Sequence, residues 1–356
     1  MSTGVPPLRV AMISYYLPSG SKIGVGYQVH AFANMLVDRG HTVTVFSPCG
    51  PSAGARYRTE TVPLAGSNRT FKFALRLRHV DWTRFDVLHA HGDDYWLWRR
   101  RVPAHVRTLH GSCLSEARRI QGGRERLRMV LLGLSEILAS FVADETVAVS
   151  ESTRRWLPWV RSVVPNGVDL ERFRPRERSP DPSLLFVGTY LRRKRGKLLA
   201  DVFEREVRPA LPTAELWMVC EDASPRPGVK VLGRVSDDDL AELYGRAWVF
   251  CLPSTYEGFG IPYVEAMASG CPVVATPNPG ALEITRNGTL GVIVDDKRLG
   301  ETLVRLLVSH ADRERLANDA LAEASRYDLR TVAAAYESVY LRLLNARRKI
   351  VSEPAG

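Results

Sequence analysis

Cysteine is scarce and unpatterned: Cys49, Cys113, Cys220, Cys251 and Cys271 are scattered over 356 residues without a C-x-x-C pair. That spacing suggests neither a disulfide framework nor a zinc site and points to a reducing compartment. Long apolar runs are also missing. No window reaches the roughly 18 to 20 residues of a spanning helix, and the start, MSTGVPPLRVAMIS, has no apolar stretch of signal length. The expectation is a cytoplasmic protein, or one at the cytoplasmic face of a membrane. The basic clusters lack the interleaved aromatics of a stacking platform, so no nucleic-acid partner is expected. Acidic residues run short in one half only: residues 1–170 hold 22 Lys+Arg against 13 Asp+Glu, the remainder 27 against 26. The basic half suits an acidic partner, whether an anionic membrane or a phosphorylated acceptor.

The length suffices for two domains of about 150 residues each, and the element pattern divides accordingly. Leu8 to Ser14 reads as a strand, Tyr15 to Gly26 as a loop holding Gly24 and Gly26, and Tyr27 to Asp38 as a helix. This is the opening of an α/β unit. A G-x-G without its third glycine is a weak dinucleotide fingerprint. Phe71 to Arg78 alternates apolar with basic residues and reads either as a basic amphipathic helix, suited to a membrane or acceptor, or as an edge strand. Two further strands end in His89 and His91 and in His110, where a parallel sheet lines its ligand crevice. Arg99 to Arg101, with Arg118, Arg119, Arg124, Arg126 and Arg128, carries much of the basic excess and reads by default as a solvated face. Met129 to Ala143 is apolar, too short to span, and reads as a core helix.

Val163 to Asp169 runs an apolar pair into a Pro-Asn-Gly turn, and Arg176 to Pro182 is a charged, proline-rich linker. A second α/β series follows. Its first strand leads into Arg192-Arg193-Lys194-Arg195-Gly196-Lys197, five cations in six positions. Gly233-Arg234-Val235 ends another strand, and Ser236 reads as a helix cap with Asp237 to Asp239 in the first turn. Neither these aspartates nor Asp93-Asp94 require a metal. The most informative stretch is Glu257-Gly258-Phe259-Gly260-Ile261 with Glu265. Its glycines precede a helix whose first-turn amides and dipole suit an anion, and the two carboxylates flank that position.

EGFGIPYVE with AMASGCPVVAT, together with the earlier PNGVD, resembles the signature of retaining GT-B glycosyltransferases of family 4. The resemblance implies two Rossmann-like domains facing each other across a cleft. An N-terminal acceptor domain would span 1–172 and a nucleotide-sugar donor domain 173–327. A helix over about 328–347 would pack back on the first domain, and 348–356 would be a flexible tail. It further implies a hexosyl group moved from a nucleotide-diphosphate sugar to an acceptor hydroxyl, with retention and without a metal or other cofactor. The acceptor could be a glycan, a lipid-linked molecule or a natural product. By the same resemblance Glu257 contacts the donor sugar, Glu265 the ribose, and Arg193 and Lys194 the phosphates, with Arg195 and Lys197 left open. The main chain of Gly258, Phe259, Gly260 and Ile261 holds the diphosphate, and that of Gly233, Arg234 and Val235 meets the base. Gly24 and Gly26 lie beneath the donor, while His110, in a His-Gly element, approaches the sugar. A nucleotide-sugar epimerase of this fold and a noncatalytic binding subunit are the alternatives.

Overall fold

A computed structural model describes residues 5–352 except 22, 99–101, 119 and 121, with side chains described up to 348. The basic residues Arg99 to Arg101 and Arg119, and the last four positions of the expected tail, lie outside the described residues. The final helix runs to Ser352. The chain forms two compact units, Met1–Gly167 with Leu329–Gly356, and Val168–Asp328.

The first unit is built on a parallel sheet of seven strands, β1 (Arg9–Ile13), β2 (Thr42–Ser47), β3 (Arg58–Thr61), β4 (Val87–Ala90), β5 (Ala104–Leu109), β6 (Glu145–Ala148) and β7 (Ser162–Val163). Their order is β3-β2-β1-β4-β5-β6-β7. Helices cover both faces, so β4 and β5 are buried along their whole length, as expected in parallel sheets. Strand alternation divides β1 between two cores: Val10 and Met12 join the helix Gly24–Asp38, while Ala11 and Ile13 join Phe73, Leu77 and Trp82. The first core is completed from the far end of the chain by Leu329, Val332, Tyr336, Val339 and Tyr340. A polar clamp fixes that returning helix. Arg39 Nε and Nη2 donate to the two oxygens of Glu337 at 2.6 Å each, and His41 Nε2 lies 3.0 Å from Oε1.

The second unit repeats the plan with β8 (Ser183–Val187), β9 (Glu215–Val219), β10 (Val229–Val231), β11 (Val249–Leu252), β12 (Val273–Ala275) and β13 (Val292–Ile293). The order β10-β9-β8-β11-β12-β13 is that of a Rossmann sheet, with its switch point between β8 and β11. Arg178, from the charged segment read as a linker, donates to the carbonyls of Gly245 at 2.7 Å and Ala247 at 2.8 Å. That segment is therefore bound to the second unit.

Several expectations need correction. The first helix begins at Gly24, so Gly24 and Gly26 lie in its first turn instead of a loop; Ile23 caps it without a side-chain bond, which left no cap to read. Of the two readings of Phe71 to Arg78 the helix holds and the edge strand does not: the helix is Arg69–Leu77, with Arg78 as its C-cap, and it buries Phe73, Ala74 and Leu77. The segment read as a core helix belongs to Gly123–Val142, which buries only Met129, Gly133, Ala139 and Ser140. Most of its leucines point to solvent.

Candidate active site

In the second unit three strand ends converge on Glu257. From β8 the chain passes through a single 3-10 turn, Arg192–Lys194, into the helix Gly196–Val202. From β11 it passes through Ser254 to Gly260 into the helix Ile261–Ala268, and from β12 through Asn278 into the helix Pro279–Ile284. Neighbouring strands at a switch point leave a crevice at their carboxyl ends, and both signature loops start there.

Glu257 is buried and has three partners. Lys194 Nζ lies 2.7 Å from Oε1, Arg193 Nη1 2.9 Å from Oε2, and Ser254 Oγ donates to Oε1 at 2.7 Å. Burial pushes the carboxyl up, but Lys194 and Arg193 outweigh it and hold the group below the usual carboxylate range. For Lys194 burial wins over the pull of Glu257 and lowers the ammonium. The loop is also tied down by backbone: Arg193 Nη1 donates to Tyr256 O at 2.6 Å and Thr255 N to Arg193 O at 2.9 Å. Two other cations of the run are engaged elsewhere. Arg195 forks onto Asp296 at 2.7 and 2.8 Å and reaches Pro253 O at 2.6 Å, while Lys197 pairs with Asp201 one helical turn on.

Gly260 caps the following helix with φ +99°, a backbone state that disfavours side chains, and a Cβ there would meet the Tyr263 ring at 2.4 Å. Pro262 occupies the first turn, where a residue without an amide hydrogen leaves no donor unpaired, and Tyr263 N donates to Gly260 O at 2.9 Å near the dipole's positive end. Phe259 is buried with its ring 5.9 Å from Tyr327, and Ile261 is half-buried. Glu265 lies inside the helix, where burial raises its carboxyl to about 7, opposed by Tyr244 and Lys194. Gly233, at φ +63°, Arg234 and Val235 follow β10, two strands from β8, and Ser236 caps the next helix on Asp239 N at 3.1 Å.

In the first unit His110 follows β5 and His91 follows β4, with His91 Nδ1 2.9 Å from His110 Nε2. Burial, then Arg107, pushes His110 down to about 4 against the pull of Asn166. Burial likewise depresses His91, so both rings are neutral near pH 7. Together with Thr108, Asn166 and Tyr336 they line a small cavity. Gly26 belongs to the helix beside it, and a Cβ at that position would approach the Tyr16 and Leu17 backbone at 3.0 Å. His89 is structural: its nitrogens lie 2.6 Å from Tyr340 Oη and 2.7 Å from Thr108 Oγ1.

Three groups of the site escaped the sequence. Ser254 fixes the Glu257 carboxylate. Asn278 caps its helix on Ala281 N and donates to Ser254 O at 3.1 Å. Gly280 lets the helix after β12 touch the signature loop, since a Cβ there would lie 2.5 Å from Phe259 O. Asn278-Pro279-Gly280, shortly after β12, was the available signal for the last two.

Residues 181–309 match the family described as glycosyl transferases group 1, and residues 23–172 match Glycosyltransferase Family 4. A phosphatidyl-myo-inositol mannosyltransferase of Mycobacterium tuberculosis is 28% identical over 96% of this chain and 99% of its own length. The GDP-mannose:cellobiosyl-diphosphopolyprenol alpha-mannosyltransferase of Komagataeibacter xylinus is 26% identical over 75% of this chain and 74% of its own. Among solved structures, a sucrose-phosphate synthase from Thermosynechococcus elongatus superposes with a TM-score of 0.77 at 20% identity, covering 95% of this chain and 99% of the other. Two parallel-sheet, Rossmann-like domains with such neighbours constitute the GT-B fold.

Proposed function

We propose that this chain, a glycosyltransferase of GT-B fold similar to family 4, moves a hexosyl group from a nucleoside-diphosphate sugar to a hydroxyl of a lipid-linked acceptor, with retention of anomeric configuration. The observation that carries the reading is the cluster of the shielded Glu257 and Lys194 with the half-exposed Arg193 beside the amino end of the helix Ile261–Ala268. As the nucleoside diphosphate departs, negative charge grows on its phosphate. Fixed cations and amides aimed there stabilise that charge more than they stabilise the ground state, each donor being worth about 3 kcal/mol. In this reading Glu257 holds the sugar and balances positive charge at the anomeric carbon, and Glu265 holds the ribose. The acceptor hydroxyl attacks from the face the phosphate leaves, and the phosphate oxygen takes its proton. His110 enters the scheme through the family resemblance. Cations in these places perform the charge neutralisation for which other transferases use a metal.

The two mannosyltransferases described above carry a lipid in their acceptor's name, which supports mannose as the first sugar to try and a lipid-linked acceptor. No described helix is long and apolar enough to cross a membrane. We place the reaction at the cytoplasmic face. Transferase relatives over nearly the whole length do not favour an epimerase, and the paired Glu257 speaks against a noncatalytic subunit.

The test is a thermal-shift panel of GDP, UDP, ADP and dTDP with and without EDTA, followed by transfer from the sugar of the nucleotide that stabilises. A ligand that binds only the folded form raises its melting temperature by mass action. One nucleotide shifting wild type but not Glu265→Ala, regardless of EDTA, supports the reading. No shift from any of them rejects it, and a shift abolished by EDTA rejects the metal-free form.

A further inference from the structure

The helix Gly123–Val142 carries an apolar stripe that nothing in its unit covers. Leu127 is 60% exposed, Leu131 47%, Leu134 54%, Leu138 47% and Phe141 67%. Their spacing places all five on one side of the helix, over about 21 Å of its length. The opposite side is seated firmly: Gly133 abuts Leu114, and Ala139 packs with Ala74 and Tyr95. The exposed stripe is therefore a property of a fixed element.

Two further features adjoin it. At its far end the half-exposed Trp159 stacks on Phe141 with centroids 5.0 Å apart and donates Nε1–H to Ser140 Oγ at 2.9 Å. Through Ala74 the stripe's helix touches the helix Arg69–Leu77, whose outward residues are Arg69, Lys72, Leu75 and Arg76. Arg124 and Arg126, exposed, precede Leu127.

An apolar stripe beside a row of cations, edged by an amphipathic aromatic, has the chemistry of a helix lying in a lipid interface. A large apolar patch calls for a partner, and the cations decide which. Two copies meeting face to face on this patch would oppose their own arginines, whereas an anionic bilayer offers charge of the right sign together with an apolar layer. The geometry points to this surface, the Leu127–Phe141 stripe flanked by the basic helix Arg69–Leu77, as the site where the protein docks onto an anionic membrane. The inference deepens the lipid-acceptor reading above and rests on it for its purpose.

Flotation of the full chain with vesicles of phosphatidylcholine alone, or containing about 30% phosphatidylglycerol, at about 50 mM and about 500 mM salt, tests it. Wild type floats with the anionic vesicles at low salt and about tenfold less at high salt. Leu134→Gln with Leu138→Gln lowers low-salt flotation about tenfold, and Arg69→Gln with Arg76→Gln removes the difference between the two lipids. All four side chains point to solvent, and an unchanged melting temperature certifies folding. Wild type that fails to float, or a leucine variant that floats like wild type, overturns the proposal. A dimer in vesicle-free buffer that the leucine variant dissolves also overturns it, assigning the stripe to a second copy. The nucleotide thermal shift, read on the same samples, separates this result from the previous one. A shift without flotation rejects only the surface, and flotation without a shift rejects only the transferase reading.

Discussion

Lys194 Nζ and Glu257 Oε1 lie 2.7 Å apart across 63 residues of sequence, both largely shielded from water. The pair joins the loop after β8 to the loop after β11, so the geometry of one depends on the charge of the other. Removing one partner of a buried pair leaves the other uncompensated at a cost of about 3 to 5 kcal/mol. Here Arg193 and Ser254 remain on Glu257, so Lys194→Ala is expected to cost less than that range, about 2 kcal/mol, in urea unfolding. Transfer is expected to slow by about a hundredfold in kcat. A variant of unchanged stability and rate contradicts both roles.

Glu265 gives a pH signature of the opposite sign to a paired carboxylate. Its folded pKa of about 7 stands above the roughly 4.3 of an unfolded chain. Between these values the folded state holds the extra proton, so stability falls as pH rises through the window and is lowest above it. Glu265→Gln is expected to flatten the slope, by at most about 1.4 kcal/mol per pH unit. Urea unfolding in steps from about pH 5 to about pH 8 measures it.

His110 contributes a slope of the other sense. With the ring held down to about 4, the unfolded chain binds protons first as pH drops below about 6.5, and stability is lost towards pH 4. His110→Asn is expected to relieve part of that loss, seen as a smaller drop in melting temperature on acidification.

Gly280→Ala tests whether the helix after β12 props the signature loop. The added Cβ meets Phe259 O at 2.5 Å and Glu257 O at 2.9 Å, both backbone atoms that cannot turn aside. We expect a loss of about 2 kcal/mol and a nucleotide thermal shift at least halved. A full shift would show that the loop tolerates the displacement.

The parts of this architecture written locally were readable, and the parts written between distant residues were not. Gly260 announces a helix start because only glycine sits comfortably at φ +99°, and Ser236 announces another because a hydroxyl caps its own helix. That Arg193 and Lys194 meet Glu257, while Arg195 is drawn off by Asp296, 101 positions away, is set between distant residues and has no local sign. β3, Arg-Thr-Glu-Thr, carries no apolar alternation and is held as a strand by pairing with β2. The helix Gly123–Val142 misled for a related reason. Its leucines announce an apolar stripe, but whether a stripe turns inward depends on what Leu114 and Ala74 occupy on the other side.

The return of Leu329–Ser352 to the first core has a consequence for the order in which the protein is made. Val332, Tyr336 and Tyr340 leave the ribosome after every residue of the second unit, so the unit that is begun first is finished last. Until then its sheet lacks part of one covering layer, and the growing chain carries an exposed apolar face through most of its synthesis. A chain released early, short of Leu329, would keep a whole second unit and an unfinished first one, and the cell's quality control would meet it as an aggregating species.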